Sequence, residues 1–243
     1  MTTSTVISNM YADAKTWNPF KGCKFDCTYC IPSFQLQAKR QMHTCSNCYS
    51  YTPHFHPERL SKIPSAKTVF VCGNADISFA TAGQIRQIIG AINGYNRKRP
   101  SSDKTFFMQS KQPSCLEPFL KLLPTNVILL TTLETNRDAG YNQVSKAPVP
   151  SERYRQFLAL EYPRKVVTIE PVMDFDVDVF SQWILKINPE YVWLGFDSKN
   201  CGLPEPSEAK MKDFTAILSN AGIPVKGKTL RGMDLPGVER HQD

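Results

Sequence analysis

The chain has 243 residues and 27.5 kDa, with 41% hydrophobic and 21% charged residues, enough to bury one sizeable core and too apolar for a disordered chain. Its formal charge of +7 and pI near 9.0 favour an anionic partner such as nucleic acid or a nucleotide. The basic residues are dispersed, however, and carry no helix-turn-helix or RNA-binding signature, so a solvated surface is the simpler reading. Met1 to Ser8 show no basic stretch followed by an apolar one, and no run approaches the length of a membrane span. One soluble cytoplasmic domain over 1–243, with no membrane partner, is therefore expected. Without a secretory signal, the eight cysteines point to reduced thiols and metal ligation rather than disulfides.

The first informative segment places Cys23, Cys27 and Cys30 at C-x3-C-x2-C spacing, with Tyr29 before the last. Clusters held by protein alone take four thiolates, so a compact triplet makes a nest for a [4Fe-4S] cluster with one iron left for another ligand. Zinc is the competing reading. Cys45-Ser46-Asn47-Cys48 offers a second C-x2-C, and Cys27/Cys30 with Cys45/Cys48 would form a four-cysteine ribbon. That arrangement leaves Cys23 idle, and the cluster is preferred. Cys45 and Cys48 lie in a Cys-rich insertion around 31–66. They are candidates for a second metal site, zinc or an auxiliary cluster, with His43, His54 or His56; the alternative is two reduced thiols. His54 and His56 point the same way if their segment is extended.

Downstream, apolar runs alternate with helical patterns, as in parallel strands joined by crossover helices. Strands are predicted at 68–72, 105–108, 126–130, 166–169, 191–194 and 223–225, with a first strand just before Cys23. Their near-continuous apolar character suits burial on both faces. Ile85, Ile88, Ile89 and Ile92 form a helical stripe with Gly94 as its stop. Leu116, Phe119, Leu120 and Leu123 form another behind a Ser114/Glu117 capping box, and further stripes run through Phe180 to Ile187 and Met211 to Leu218. Cys72, Cys115 and Cys201 read as apolar fillers or loop thiols, with Cys201 placed to reach a cavity. The fold class is α/β, a partial (β/α)6-type barrel, and its functional residues belong at the strands' C-terminal ends.

Those ends carry Gly73-Asn74-Ala75-Asp76, Gln109-Ser110-Lys111, Glu134-Thr135-Asn136, Glu170-Pro171 and Lys226-Gly227-Lys228. Repeated carboxylates, amides and lysines at one rim of a buried sheet suit a polar cofactor and substrate, although helix caps and loop ion pairs account for some of them.

Trp17 through Cys30 resembles the C-x3-C-x-aromatic-C signature of the radical S-adenosylmethionine (SAM) superfamily. Thr16-Trp17-Asn18-Pro19, Pro53 through Leu60, Glu134 through Asp138, Pro148 through Arg153, Glu170 through Asp176 and Lys228 through Arg231 resemble the phage Gp37/Gp68-like (DUF5131) group within it. The resemblance implies a [4Fe-4S] cluster on Cys23, Cys27 and Cys30, and SAM bound at its open iron. It also implies an electron donor such as flavodoxin or ferredoxin, and a 5′-deoxyadenosyl radical that takes hydrogen from a substrate, nucleic acid or nucleotide being favoured by charge. Position by position, the resemblance implies that Gly73 with Asn74 or Asp76 stands where the SAM amino group is held, Lys111 at the SAM carboxylate, Glu134 and Asn136 at the ribose or the carboxylate end, and Glu170 at a second ribose or substrate contact. Tyr29 is read as packing. The rival function is a non-catalytic zinc- or iron–sulfur-binding module for nucleic acid.

Overall fold

The structure is a computed structural model that describes residues 14–241; the reading of Met1 to Ser8 lies outside them. Strand β1 (Ala14–Trp17) is followed by a short β2 (Phe20–Lys21), the cysteine loop, and an insertion built from single turns. The insertion contains α1 (Leu36–Ala38), α2 (Ser46–Tyr49) and β3 (His54–Phe55), which pairs antiparallel with β2. From β4 (Thr68–Val71) onward, strands and helices alternate: α3 (Ala82–Lys98), β5 (Thr105–Gln109), a 3-10 segment Pro113–Leu122, β6 (Val127–Thr132), α4 (Pro150–Ala159), β7 (Lys165–Ile169), α5 (Val177–Ile187), β8 (Tyr191–Gly195), α6 (Glu208–Asn220), β9 (Val225–Lys228) and β10 (Val238–Arg240).

Eight of these strands make one parallel sheet in the order β1-β4-β5-β6-β7-β8-β9-β10, curled into a half-barrel. Period-two alternation gives the sheet two apolar faces of unequal size. Val69, Val71, Phe106, Met108, Val127, Leu129, Val192 and Leu194 face outward into the main core beneath the helices. Phe70, Phe107, Ile128, Leu130, Val166 and Trp193 form a smaller cluster on the other face. The helices bring the matching stripes: Ile85, Ile88, Ile89 and Ile92 of α3 are buried, and Phe180 of α5 stacks on Phe214 of α6 with ring centroids 5.3 Å apart. Each such side chain contributes roughly 1.5–3 kcal/mol on burial. Among the described residues no helix is long and apolar enough to cross a membrane.

Three local expectations are corrected. Helix α3 runs through Gly94 to Lys98 and gives way only ahead of Pro100, because a lone glycine weakens a helix without ending it. The stretch after Pro113 is a 3-10 segment, since Pro118 inside it lacks the N–H an α-helical ladder needs. Ser114 caps nothing there; its N–H and hydroxyl both donate to Gln156 Oε1, at 3.3 and 3.0 Å. The strand predicted at 223–225 forms instead at Val225–Lys228; Pro224 brings only a carbonyl, which accepts from Val192 N–H at 2.9 Å. Helix α4 and strand β10 were not predicted.

Candidate functional site

The inward positions change character toward the strands' C-terminal ends. Above the Phe70/Trp193 cluster, Gln109 donates to Thr132 (2.7 Å) and Thr168 (3.3 Å), and Thr168 donates to Thr132 (2.9 Å). This polar belt closes the bottom of a cavity of about 460 Å³. The cysteine loop and the first turn of the insertion cover its mouth, so that Cys23, Cys27, Cys30, Phe34 and Tyr51 face Gly73, Asp76, Lys111, Glu170, Lys199 and Lys228 across it. The cavity thus sits where parallel (β/α) sheets place their chemistry.

The thiol loop owes its shape to its neighbours. Cys23 N–H donates to Tyr51 C=O at 3.2 Å, Thr28 N–H to Val144 C=O at 2.9 Å, and Lys146 N–H to Phe25 C=O at 2.7 Å. Gly22 is required: its φ is +89°, and a Cβ there would fall 2.3 Å from the Thr52 carbonyl. Asp26, Tyr51 and Cys72 around the cavity also hold left-handed backbone, which costs roughly 1–2 kcal/mol for each such residue. That cost is tolerated where surrounding structure over-determines the conformation, a pattern concentrated at binding sites.

The three thiols are not equivalent. A hydrogen bond from Cys30 outweighs burial and holds Cys27 low, at about 6, with help from the Lys111 ammonium and Ser145. Lys111 Nζ is 3.3 Å from Cys27 Sγ and Ser145 Oγ 3.1 Å from it. Giving that hydrogen bond, and burial, push Cys30 up. Burial and the Asp76 charge push Cys23 up to about 12.

Behind Lys111 lies a buried ion-pair knot. Glu134 and Arg153 are both fully enclosed; Glu134 accepts from Arg153 Nη2 at 2.8 Å, Lys111 Nζ at 2.7 Å and Tyr141 Oη at 3.0 Å, and from Tyr29 Oη. Arg153 also donates to Thr132 C=O at 2.5 Å. Burial alone would raise the Glu134 carboxyl, but the Arg153 and Lys111 charges overcome it and hold the group down at about 2. The knot is therefore ionised, and Lys111 presents a fixed positive charge to the cavity.

Of the residues singled out from sequence, Cys23, Cys27, Cys30, Gly73, Asp76, Lys111 and Glu170 come together on the cavity. Asp76 spends its carboxylate on Ser78 N–H (3.0 Å), Ser110 Oγ (2.7 Å) and Lys111 N–H (2.7 Å), so it shapes the turn beneath Lys111. Gly73 is demanded by β1, since a Cβ would lie 2.8 Å from Thr16 Cγ2. Glu170 receives Trp193 Nε1–H at 2.9 Å and lies 3.7 Å from Lys228 Nζ; Gly195 leaves it room, a Cβ there falling 3.0 Å from Glu170 Cγ. Glu134 lies under Lys111 rather than on the cavity wall. Asn74 and Asn136 are not among the lining residues: Asn74 N–H donates to Asn18 Oδ1 (3.2 Å), and Asn136 is bonded to Asp176. Cys72 is buried in the main core and Cys115 packs against it. Cys201 does not line the cavity; its N–H donates to Asp197 at 2.5 Å.

The second cysteine pair has different partners from those of the ribbon reading. Cys45 and Cys48 meet His54 and His56, and all four ligand atoms lie within 4.8 Å of one another, a group that could hold a metal ion. Cys27 and Cys30 are not part of it, and His43 is exposed elsewhere.

Sequence reasoning missed Arg153, Tyr141 and Ser145. Arg153 did leave a signal: it falls on the stripe Pro150, Arg153, Tyr154, Phe157 that buries α4, and an arginine in such a stripe must find an anion. Ser145 lies in a turn with no pattern to mark it. No protein-family model matches the chain, and no curated protein matches it.

Proposed function

We propose that the chain is a radical SAM enzyme, as its resemblance to the Gp37/Gp68-like (DUF5131) group implies. Cys23, Cys27 and Cys30 would hold a [4Fe-4S] cluster, with SAM in the adjoining cavity. The observation that carries this reading is the convergence of the three motif thiols with Gly73, Lys111 and Glu170, from three different strand ends, on one cavity at the C-terminal edge of a parallel sheet. In this reading β1 and β4 to β8 are the six strands of a (β/α)6-type barrel, extended by β9 and β10.

The donor set fits the group. Three thiols open onto shared space, the Cys27 thiol is lowered by its Cys30 hydrogen bond and the Lys111 charge, and that ammonium stands 3.3 Å from it to offset the negative charge that thiolate ligation accumulates. When bound, the cluster and SAM supply an electron and a 5′-deoxyadenosyl radical able to take hydrogen from an unactivated carbon. The protein's own residues supply the rest. Lys111, oriented by Glu134 and Tyr29, offers its positive charge toward a carboxylate. Glu170 and Lys228 on the opposite wall offer an acceptor and a cation to ribose hydroxyls or substrate. The cysteine loop and the insertion's first turn cover the mouth and exclude water, which a reactive radical requires. The net charge of +7 favours an anionic substrate, nucleic acid or a nucleotide, in a cytoplasmic setting that provides a flavodoxin- or ferredoxin-like reductant. A non-catalytic metal module explains the thiols but leaves a 460 Å³ cavity and its ionised wall without a task.

The test is anaerobic reconstitution with iron and sulfide, then reduction with SAM present and mass-spectrometric detection of 5′-deoxyadenosine. About four irons per chain and 5′-deoxyadenosine formation, both lost in Cys27→Ala, are expected. A reconstituted cluster with neither SAM binding nor cleavage would overturn the enzyme reading in favour of the binding module.

A further inference from the structure

Cys45, Cys48, His54 and His56 form a group whose internal geometry calls for a cation. His54 Nδ1 lies 2.7 Å from Thr52 C=O and His56 Nδ1 lies 2.9 Å from Glu58 Oε1. A carbonyl and a carboxylate only accept, so both imidazoles carry their proton on Nδ1. Each Nε2 then presents a lone pair. Yet the two Nε2 atoms face each other at 2.7 Å, and Cys48 Sγ lies 3.3 Å from both. Cys45 Sγ is 3.5 Å from His54 Nε2. Two lone pairs 2.7 Å apart repel unless a proton or a metal ion lies between them.

The dimensions select the ion. Tetrahedral zinc, with Zn–S near 2.3 Å and Zn–N near 2.0–2.1 Å, has ligand-to-ligand edges of about 3.3–3.8 Å. The three sulfur–nitrogen edges of 3.3, 3.3 and 3.5 Å match, and the imidazole edge needs to open by about half an ångström. An auxiliary iron–sulfur cluster is larger than the space enclosed by ligand atoms all within 4.8 Å of one another. The outer contacts are also those of a metal site: each imidazole is oriented through its other nitrogen, and Cys48 N–H donates to Cys45 Sγ at 3.4 Å. Two thiolates and two imidazoles fill all four positions, the mark of a structural rather than a catalytic zinc.

We propose that Cys45, Cys48, His54 and His56 bind one structural zinc ion, which fixes the β2–β3 strand pair and, through it, the Cys23 end of the thiol loop. The connections are short. His54 pairs with Lys21 across the two strands, His56 N–H donates to Pro19 C=O at 2.6 Å, and the Tyr51–Thr52 backbone between the two ligand pairs receives Cys23 N–H and packs under Gly22. The zinc joins the two ends of this segment, so removing it frees the support of Cys23.

The experiment uses the full chain with Cys23, Cys27 and Cys30 all changed to Ala, so that it stands apart from the cluster reading. Equilibrated with zinc and desalted, this protein is expected to retain about one zinc per chain. Cobalt in its place should show the intense visible bands of a tetrahedral thiolate site. Cys45→Ser/Cys48→Ser should lose the metal. Glu58→Gln alters only a surface carboxylate, which keeps folding out of question, and should weaken zinc affinity roughly 10–100-fold. Amide exchange at Gly22 and Cys23 should slow when zinc is added. A folded triple variant that holds no zinc, or zinc retained by Cys45→Ser/Cys48→Ser, overturns the site; exchange at Gly22 and Cys23 indifferent to zinc overturns the link to the thiol loop.

Discussion

The two groups of cysteines are neighbours, joined by the hydrogen bond from Cys23 N–H to Tyr51 C=O, and are built in opposite ways. Cys45 and Cys48 close on a point with two imidazoles, and what surrounds them is a carbonyl, a surface carboxylate and one backbone N–H. Cys23, Cys27 and Cys30 open on a cavity, and behind Cys27 stand a half-buried lysine, a buried glutamate and a buried arginine. A closed site needs only its ligands and the acceptors that set their tautomers. An open one must supply charge and shape from the protein, and here that supply costs the fold a desolvated ion-pair knot.

The difference is tested most severely at the knot. Arg153→Met takes one of the two cations from the buried Glu134 and is expected to cost about 3–5 kcal/mol in urea unfolding, while the Cys45/Cys48 group, which shares none of these contacts, should bind zinc as before. Acid should act on the same feature. Glu134 is held from an ordinary value of 4.5 down to about 2, so its contribution is fully present above pH 4.5 and is lost as pH falls through 2. The loss should be about 3 kcal/mol, read as a falling urea midpoint across that window and absent in Glu134→Gln. Gly22→Ala strikes the seam between the sites: its positive φ and the 2.3 Å approach to Thr52 predict about 2 kcal/mol of destabilisation and faster amide exchange at Cys23. Tyr141→Phe removes one of four donors to Glu134 and should cost about 1 kcal/mol, sharpening how far the knot tolerates partial satisfaction.

Period and spacing carried most of the architecture. The apolar runs of β4 to β8 and the stripes of α3, α5 and α6 are direct expressions of what each face buries, and the strand-end rule led from them to Gly73, Lys111 and Glu170. Where a single residue overrode the period, legibility failed: Pro118 turned a helical stripe into a 3-10 segment, and Pro224 displaced the start of β9. The Cys45/Cys48 partners were narrowed to three histidines but not chosen, because the choice depends on the antiparallel pairing of β2 with β3, a contact between segments more than thirty residues apart. Arg153 and Glu134 are nineteen residues apart, and only the docking of α4 across β6 brings them together. A glutamate at a strand end reads the same whether it faces a ligand or an arginine.

The parallel order of the sheet gives the chain a history. Cys23, Cys27 and Cys30 leave the ribosome before Arg153, which balances the carboxylate behind them and comes more than a hundred residues later. Domains made from the N-terminus forward expose early segments until later ones arrive. Over that interval three adjacent thiols stand without their wall, open to oxidation or to a stray metal ion. The Cys45 to His56 group needs nothing beyond residue 58 to satisfy its ligands and the acceptors that orient them. One part of the thiol loop's support is thus encoded beside it, and the part that confers charge is encoded far downstream.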